Sequence, residues 1–353
     1  MVKTSYEYGK NKEVIISADS HVMEPHDLWV TRVPGQYRDS APRFKPLPVG
    51  ESFQKHPGGS DPNARIGEME TDGLSAEVLY PTLLLSLFAL DDARLQEACF
   101  RVYNDWLIDY CRVAPQRLVG IAAIPVYDMN YGLEEMERCK KAGLKGALIW
   151  LAPHPDLPFH SSHYDRFWAA AQEMEMPVSL HILTGHSYHK NPESRKGVEH
   201  YRGSVNLKIF DAENALFDLI FYGILERYPR LKIIVVETEV GWLPFLLQQW
   251  DYYYRRFRDR NPPPIDKNPS EYFKRQIYAT FFNDSVGGHC LEWWGAENCM
   301  WSNDFPHENS TWPNSRKVIE RDLGHLPAET RAKLLCTTVA KLYGMEIPRA
   351  IEL

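Results

Sequence analysis

The stretch that decides the fold is IISADSHVMEP, residues Ile15–Pro25. It is an apolar run, typical of a buried strand, that ends abruptly in Asp19-x-His21 and continues to Glu24-Pro25. A core strand gains nothing from burying a carboxylate and an imidazole. At the mouth of an α/β barrel, however, the carboxyl ends of the strands converge, and a metal site there requires such groups. We therefore interpret Asp19 and His21 as candidate metal ligands.

Seven further apolar runs alternate with stretches of helical periodicity along the chain. The eight runs are Val14–Ala18, Ala76–Tyr80, Leu118–Val126, Gly146–Leu151, Pro177–Leu183, Leu231–Glu239, Gln276–Phe282 and Asn298–Ser302. Such short, almost continuously apolar runs are typical of parallel strands that are covered on both faces. The predicted helices cover Asp91–Val113, Tyr131–Lys141, Tyr164–Glu175, Phe210–Tyr228, Trp242–Arg258 and Pro327–Leu342. This alternation predicts an α/β protein, a (β/α)8 TIM barrel that forms a single domain over residues 1–353.

Two segments interrupt the alternation. Residues 31–68 are rich in proline, glycine and charge and follow the first strand, whereas residues 184–209 follow the fifth strand and contain three histidines. Both would emerge at the C-terminal face of the barrel, so we interpret them as inserted active-site loops.

Composition restricts the class of partner. The formal net charge of −7 argues against a nucleic-acid-binding protein, because a phosphate-binding surface needs a basic excess. No apolar run is long enough to span a membrane, and the six cysteines form no CxxC pair. We expect a cytoplasmic protein that acts on a small-molecule substrate.

The predicted strand ends carry more ionisable groups. His181 ends the fifth strand, Glu237 and Glu239 end the sixth, and Asp304 follows the eighth with His307 just beyond. Burial of this many ionisable groups without a cation would be costly. The mixed nitrogen and oxygen donors suit zinc, manganese or iron. Each residue also has a simpler explanation: a lone strand histidine is usually structural, and Asp304 could cap a turn.

Motifs spread over nearly the whole chain resemble the amidohydrolase-related family, in the branch that includes aminocarboxymuconate semialdehyde decarboxylase and the resorcylate-type decarboxylases. The motifs are ISADSHVMEPHDLW, YRDSAPR, EMETDGLSAEVLYPT, RVYNDWLIDYC, RLVGIAAIPV, GILERYPRLKIIVVETEVGWLPFLLQQWD and SNDFPHENSTWPNS. The resemblance implies a (β/α)8 barrel with a metal ion at its C-terminal mouth. It implies that Asp19 and His21 occupy the place of the first-strand His-x-His or Glu-x-His motif, with His181 and Asp304 as further ligands.

The chain departs from this family in two ways. Glu237 stands where the decarboxylases carry a histidine that activates water or protonates the substrate; Glu237 could serve as base, as ligand or as partner of an arginine. Extra candidate ligands lie near the mouth: Glu24, His26, His186, His189 and His200. Most loop histidines are solvated, but a second metal ion would find ligands among them. The branch with an Asp-x-His start includes proteins that resemble dinuclear iron oxygenases.

The leading hypothesis is a metal-dependent hydrolase or carboxy-lyase that acts on a small carboxylated or carbonyl compound. Its metal ligands would be Asp19, His21, His181, Glu237 and Asp304, with Asp304 as general base and then acid, assisted by Glu237 and His181. A dinuclear non-haem iron oxygenase is the alternative, and a non-catalytic partner of an active paralogue is a third hypothesis.

Three further expectations concern the surroundings of the site and assembly. Loop arginines are candidates for binding a substrate carboxylate, namely Arg38, Arg43, Arg65 and Arg202. Tryptophans 242, 301 and 312 either line the pocket or belong to the core. The aromatic segment Trp242–Arg260 predicts a homodimer, or a hetero-oligomer with a paralogue, unless its rings face the barrel.

Overall fold

A computed structural model describes residues 13–45, 56–190 and 196–351 and contains a barrel of eight parallel strands in the order β1 to β8. Each strand pairs in parallel with the next along the chain. The strands are β1 Ile16–His21, β2 Ala76–Tyr80, β3 Leu118–Ala123, β4 Gly146–Ala152, β5 Val178–Gly185, β6 Ile233–Val236, β7 Ile277–Phe281 and β8 Cys299–Trp301. Almost every strand residue is buried, because the helices cover the outer face and side chains fill the interior.

The barrel closes at the carboxyl ends of its first and last strands. The backbone N–H of Asp304 donates to the carbonyl of Asp19 at 3.0 Å, and the N–H of His21 donates to the carbonyl of Phe305 at 2.6 Å. The two motifs at opposite ends of the sequence are therefore joined by the backbone. This closure fixes the spacing between the candidate ligands of β1 and the residue that follows β8.

Helices connect the strands on the outside of the barrel. They are α1 Leu28–Arg32, α2 Pro62–Asp72, α3 Ala93–Cys111, α4 Met129–Lys141, α5 Asp165–Glu173, α6 Glu199–Asn206, α7 Ala212–Phe221, α8 Ile224–Arg227, α9 Leu243–Phe257, α10 Pro269–Gln276, α11 Ser285–Trp294, α12 Ser315–Leu323, α13 Ala328–Ala332 and α14 Thr338–Leu342. The side chains of Asp61, Asp92 and Asp128 cap α2, α3 and α4 by accepting backbone N–H hydrogen bonds, which sets where these helices begin. Within the described ranges, no helix is at once long enough and apolar enough to cross a membrane.

The predicted TIM barrel is confirmed, and each of the eight predicted runs overlaps a strand. The main boundary error is the helix predicted over Phe210–Tyr228. The helix begins at Glu199, passes through a π-helical turn at Leu207–Asp211 and ends at Phe221. It cannot continue because Gly223 adopts a left-handed φ of 71° against Pro264, so α8 follows as a separate turn.

The two insertions predicted as loops are partly helical. Residues 62–68 form the first turns of α2, and residues 199–209 belong to α6 and the π-helical turn that follows it. Residues 46–55 and 191–195 lie outside the described part of the chain. The sequence signal for α2 was Asp61 followed by Pro62, and the signal for α6 was the periodic spacing of its polar residues. The many turn-forming residues of the two segments obscured both signals.

Candidate metal centre

Five predicted ligands converge at the carboxyl ends of four strands. Asp19, His21, His181 and Glu237 offer ligand atoms that all lie within 4.8 Å of one another, and His21, Glu237, Asp304 and His307 form a second, overlapping group. Except for His307, which is partly exposed, these side chains are buried. The arrangement brings residues from opposite ends of the chain to one point on the barrel axis, where an ion would sit.

The two histidines present lone pairs to each other. Nδ1 of His21 donates to the carbonyl of Pro81, and Nδ1 of His181 donates to the carbonyl of Ile182, each at 2.7 Å. The Nε2 atom of each neutral ring is therefore the acceptor. These two Nε2 atoms are 3.2 Å apart, a separation that a proton or a metal cation between them would stabilise. Backbone carbonyls that fix the tautomer in this way are typical of metal-binding histidines.

The carboxylates of Asp19 and Asp304 have oxygens without hydrogen-bond donors among the described residues. Both side-chain oxygens of Asp19 and Oδ2 of Asp304 are buried and have no hydrogen-bond partner among the described residues. The nearest imidazole nitrogens to Oδ1 of Asp19 are Nε2 of His21 at 3.5 Å and Nε2 of His181 at 3.6 Å. Buried, unsatisfied carboxylate oxygens are costly unless a cation binds them. The donor set therefore fits a divalent ion such as manganese, zinc or iron.

Sharp backbone turns aim the acidic side chains into the mouth. Glu237, Glu239 and Asp304 adopt left-handed φ values of 62°, 58° and 55°. This conformation is uncommon outside glycine and costs about 1–3 kcal/mol per residue. Because β6 ends at Val236, Glu237 is the first residue beyond the strand rather than part of it. Strain of this kind is characteristic of functional sites.

The charges of these groups shift one another's pKa values. Burial and the Asp304 carboxylate raise the pKa of Glu237 to about 8, and burial raises that of Asp19. Although burial opposes protonation of His307, the Asp304 carboxylate raises the pKa of that histidine to about 9. Burial and the positive charge of His307 lower the pKa of His21 well below its usual range. Without a bound cation, the raised pKa values of Glu237 and His307 favour their protonated forms. A bound metal ion would displace these protons.

Two further residues belong to the site: Lys208, which was not predicted, and His307, which was noted beyond Asp304 but given no role. Lys208, on the π-helical turn, places Nζ 2.9 Å from Oε1 of Glu239 and 4.0 Å from Oε1 of Glu237. His307 contacts Oδ1 of Asp304 through Nδ1 at 2.7 Å and Oγ1 of Thr82 through Nε2 at 3.3 Å. The proximity of His307 to Asp304 in the sequence was the available signal for that residue. Nothing in the sequence singled out Lys208.

Two candidate acidic ligands have structural partners instead. Glu24 accepts hydrogen bonds from the backbone N–H groups of Thr82, Leu83 and Leu84 and so caps the turn that follows β2. Glu239 is bound by Lys208 and by the backbone N–H of Phe282. Glu237, which we considered as a partner for an arginine, has Lys208 as its nearest cation. Glu24 is therefore not a ligand of the central site.

The loop histidines whose side chains the structure describes do not join the central cluster. His26 and His200 are exposed, and the side chain of His189 lies outside the described residues. Nε2 of His186 is 2.8 Å from Oδ1 of Asp91, and His154 lies beside it with the ring centroids 4.0 Å apart. The ammonium group of Lys190 contacts both Asp91 and His186. A cation supplied by the chain itself therefore occupies this second cluster.

The arginine and tryptophan candidates are mostly structural or exposed. Arg65 was wrongly predicted to face substrate: it is fully buried and forms an ion pair with Glu77 at 2.5 Å. Arg38, Arg43 and Arg202 are exposed, and Arg202 pairs with Glu199. Trp301 is buried in β8, Trp242 donates to the carbonyl of Thr238, and Trp312 donates to that of Glu68.

Comparisons with known proteins agree with this geometry. The family model described as Amidohydrolase matches residues 18–345. Gamma-resorcylate decarboxylase of Rhizobium sp. (strain MTP-10005) is 27% identical over 315 residues, which cover 80% of this chain and 87% of that protein. Gamma-resorcylate decarboxylase of Polaromonas sp. (strain JS666) is 28% identical over 271 residues, which cover 68% and 78% of the two chains.

Solved structures share the fold. Dihydroxybenzoic acid decarboxylase from Polaromonas sp. JS666, with bound manganese and the inhibitor 2-nitroresorcinol, superposes with a TM-score of 0.71 at 20% identity and covers 94% of this chain and 97% of its own. 5-Carboxyvanillate decarboxylase from Sphingomonas paucimobilis superposes with a TM-score of 0.70 at 19% identity, covering 94% and 99%. At these identities the likeness establishes the barrel fold and nothing beyond it.

Proposed function

The chain belongs to the amidohydrolase family, and from that membership we propose that it is a metal-dependent carboxy-lyase of small aromatic carboxylic acids. The observation that carries the proposal is the pair of facing Nε2 atoms of His21 and His181 beside the unpartnered carboxylate of Asp19. Decarboxylase relatives over most of the chain length support the reaction class, and the manganese in a neighbouring structure makes manganese the first ion to test.

In the proposed mechanism, Asp19, His21, His181 and Asp304 hold the ion, and Glu237 borders it. A divalent ion held there would polarise a substrate oxygen and lower the pKa of a water molecule bound to it. Asp304 is placed to hold a proton, with His307 against its Oδ1 atom. It would deliver that proton to the ring carbon that carries the carboxylate. The electron pair of the carbon–carbon bond would then restore the aromatic ring as carbon dioxide leaves, and solvent would return a proton to Asp304.

Lys208 and Glu237 replace the histidine that the family decarboxylases use after the sixth strand. Lys208 holds its ammonium group between Glu237 and Glu239, which keeps a positive charge at the wall of the site. That charge would attract the carboxylate or phenolate oxygen of an aromatic acid. Glu237 would then orient the substrate carboxylate. It would not activate water or protonate the substrate, which is the role of the histidine in the family decarboxylases.

The proposal is tested by incubating manganese-loaded protein with 2,6-dihydroxybenzoate and 5-carboxyvanillate and measuring carbon dioxide release. We expect release with at least one of these acids, abolished by chelation and restored by manganese. Release that is unaffected by removal of all metal would contradict the proposal, as would the absence of turnover of any ortho-hydroxylated aromatic acid by metal-loaded protein.

A dinuclear iron oxygenase is the alternative, and the decarboxylase relatives do not favour it. His307 and Asp304 form a second ligand group that shares His21 and Glu237 with the first, but the one free ring nitrogen of His21 can bind only one ion. Two irons per chain and consumption of dioxygen would support it, whereas one manganese or zinc per chain supports the carboxy-lyase. The convergence of all five proposed ligands argues against a non-catalytic subunit.

Metal binding should stabilise the fold through Asp19. A ligand that binds only the native state at 100 times its dissociation constant adds about 2.7 kcal/mol. We expect manganese to raise the melting temperature of the metal-free protein and to have little effect on Asp19→Asn, measured by differential scanning fluorimetry. Asp91→Asn is the matched control, since Asp91 belongs to the cluster that Lys190 occupies. An equal manganese shift in Asp19→Asn and the unaltered chain would contradict this role.

We also propose a homodimer, or a pairing with a paralogue, of single-domain subunits that comprise residues 1–353. Exposed aromatic side chains on α7 and α9 support it, among them Phe217, Phe245, Tyr252, Tyr253 and Phe257. Sedimentation equilibrium of the unaltered chain and of Phe245→Asp would test it.

The described cysteines are all free, which supports a reducing, cytoplasmic location.

A further inference from the structure

A cavity of about 640 Å³ opens at the end of the barrel opposite the metal centre. Its walls come from the segments that lead into β4, β5 and β6 and from the end of α14, all at the amino ends of the strands. Active sites of TIM barrels are built at the carboxyl ends of the strands, so this cavity takes no part in the proposed reaction. Its volume is in the range of a small-molecule site.

The cavity concentrates positive charge on a protein whose net charge is −7. Lysines 140, 145, 232 and 341 line it together with Arg230, and Glu175 is the single carboxylate among the described lining residues. Arg230 already pairs with Glu173, but the four lysines have no ion-pair partner within the described part of the chain. Like charges that converge on one concavity repel each other, and an anion bound there would remove that cost.

Helix ends account for only part of this charge. Lys140 and Lys341 lie in the last turns of α4 and α14, where a cation also stabilises the helix dipole. Lys145 and Lys232 precede strands and have no such role. Lys232 is partly buried, and its Nζ donates to the carbonyl of Arg275 at 2.8 Å. Burial and the neighbouring charges of Lys341 and Arg275 lower the pKa of Lys232, as expected for a cation without a counter-ion.

The rest of the lining favours an organic anion over a bare inorganic one. Tyr278, Pro229 and the largely buried Tyr343, Met176 and Pro177 are among the other residues of the wall. Aromatic and proline rings provide flat apolar surfaces on which a planar ring can stack. The hydroxyl group of Tyr343 also contacts that of Tyr80 at 3.3 Å inside the barrel, so the wall is fixed from within.

We propose that this basal cavity is a binding site for a nucleotide-sized organic polyanion, with the lysines binding its phosphate groups and the tyrosine and proline side its planar ring. The proposal does not rest on the proposed function of the metal centre. It predicts binding that weakens as ionic strength rises, because exposed charges are screened by salt.

Isothermal titration calorimetry of the full chain with ATP tests the proposal. We expect saturable binding that is weakened at least tenfold in the double variant Lys145→Met, Lys341→Met. Both lysines are exposed, so this variant is expected to fold. The matched control is Lys141→Met, Lys317→Met, which changes the net charge equally but alters two exposed lysines outside the cavity. Asp19→Asn should bind ATP normally, which separates this site from the metal centre.

The comparison of probes completes the test. Adenosine should show no measurable binding, and inorganic triphosphate should bind more weakly than ATP. The proposal is overturned if ATP does not bind at millimolar concentration, or if the cavity variant and the control variant bind it equally. Loss of ATP binding in Asp19→Asn would also overturn it, because binding would then depend on the metal centre.

Discussion

Asp304→Asn should lower kcat for decarboxylation by about 10³-fold while the barrel remains folded. General acid–base catalysis contributes about 10²–10⁴-fold, and an amide can neither carry the proton nor supply the negative charge that the ion needs. The fold should survive because asparagine tolerates the left-handed φ of 55° at this position. The backbone hydrogen bond from residue 304 to the carbonyl of Asp19 is also independent of the side chain.

Steady-state kinetics with manganese-loaded protein, together with circular dichroism, provide the measurement. Asp91→Asn serves as the control, because it removes a carboxylate from the same face of the barrel at the cluster occupied by Lys190. Retention of more than about a tenth of the kcat by folded, metal-loaded Asp304→Asn would show that this carboxylate is not the proton carrier.

Arg65→Leu should destabilise the fold by about 3–5 kcal/mol, which is the usual cost of removing one partner of a buried ion pair. Glu77 would be left buried without its cation. Arg65 also donates to the carbonyl of His21 at 2.7 Å and approaches that of Phe305 at 3.4 Å, and these residues take part in the closure of the barrel. The substitution therefore loosens the backbone that carries the metal ligands of β1.

Urea denaturation of the purified variants measures this effect. Arg112→Leu is the matched control, because its partner Asp109 is 65% exposed and such pairs contribute less than about 1 kcal/mol. The double variant Arg65→Leu, Glu77→Leu should regain part of the loss, since an apolar pair leaves no charge unpaired. Equal stabilities of Arg65→Leu and Arg112→Leu would refute the structural role of Arg65.

The fold was predictable because parallel strands covered on both faces leave a strong signal. Each of the eight apolar runs overlaps a strand, since burial on both faces demands continuous apolar sequence. The exact ends were less predictable: β1 continues to His21, and β6 stops at Val236. The polar residues at these strand ends are tolerated only because the closed barrel brings polar residues from other strands next to them. That is a tertiary effect, which no local pattern encodes.

The candidate site was predictable where its residues sit at strand ends and not elsewhere. Asp19, His21, His181, Glu237 and Asp304 were predicted from the strand ends together with the family resemblance, and the structure brings them together. Lys208 reaches the site from a π-helical turn, whose position depends on packing rather than on periodicity. Arg65 was a candidate for binding substrate because of its positive charge. Its actual partner, Glu77, lies on β2 and becomes its neighbour only in the folded barrel.

The most direct test of the central claim is the anomalous difference density of a crystal of the manganese-loaded protein. The account predicts a peak at roughly 2–2.3 Å from Nε2 of His21, Nε2 of His181 and a carboxylate oxygen of Asp19. A protein that is fully active while its crystals show no peak between these atoms, or a peak only at Asp91, His154 and His186, would contradict it.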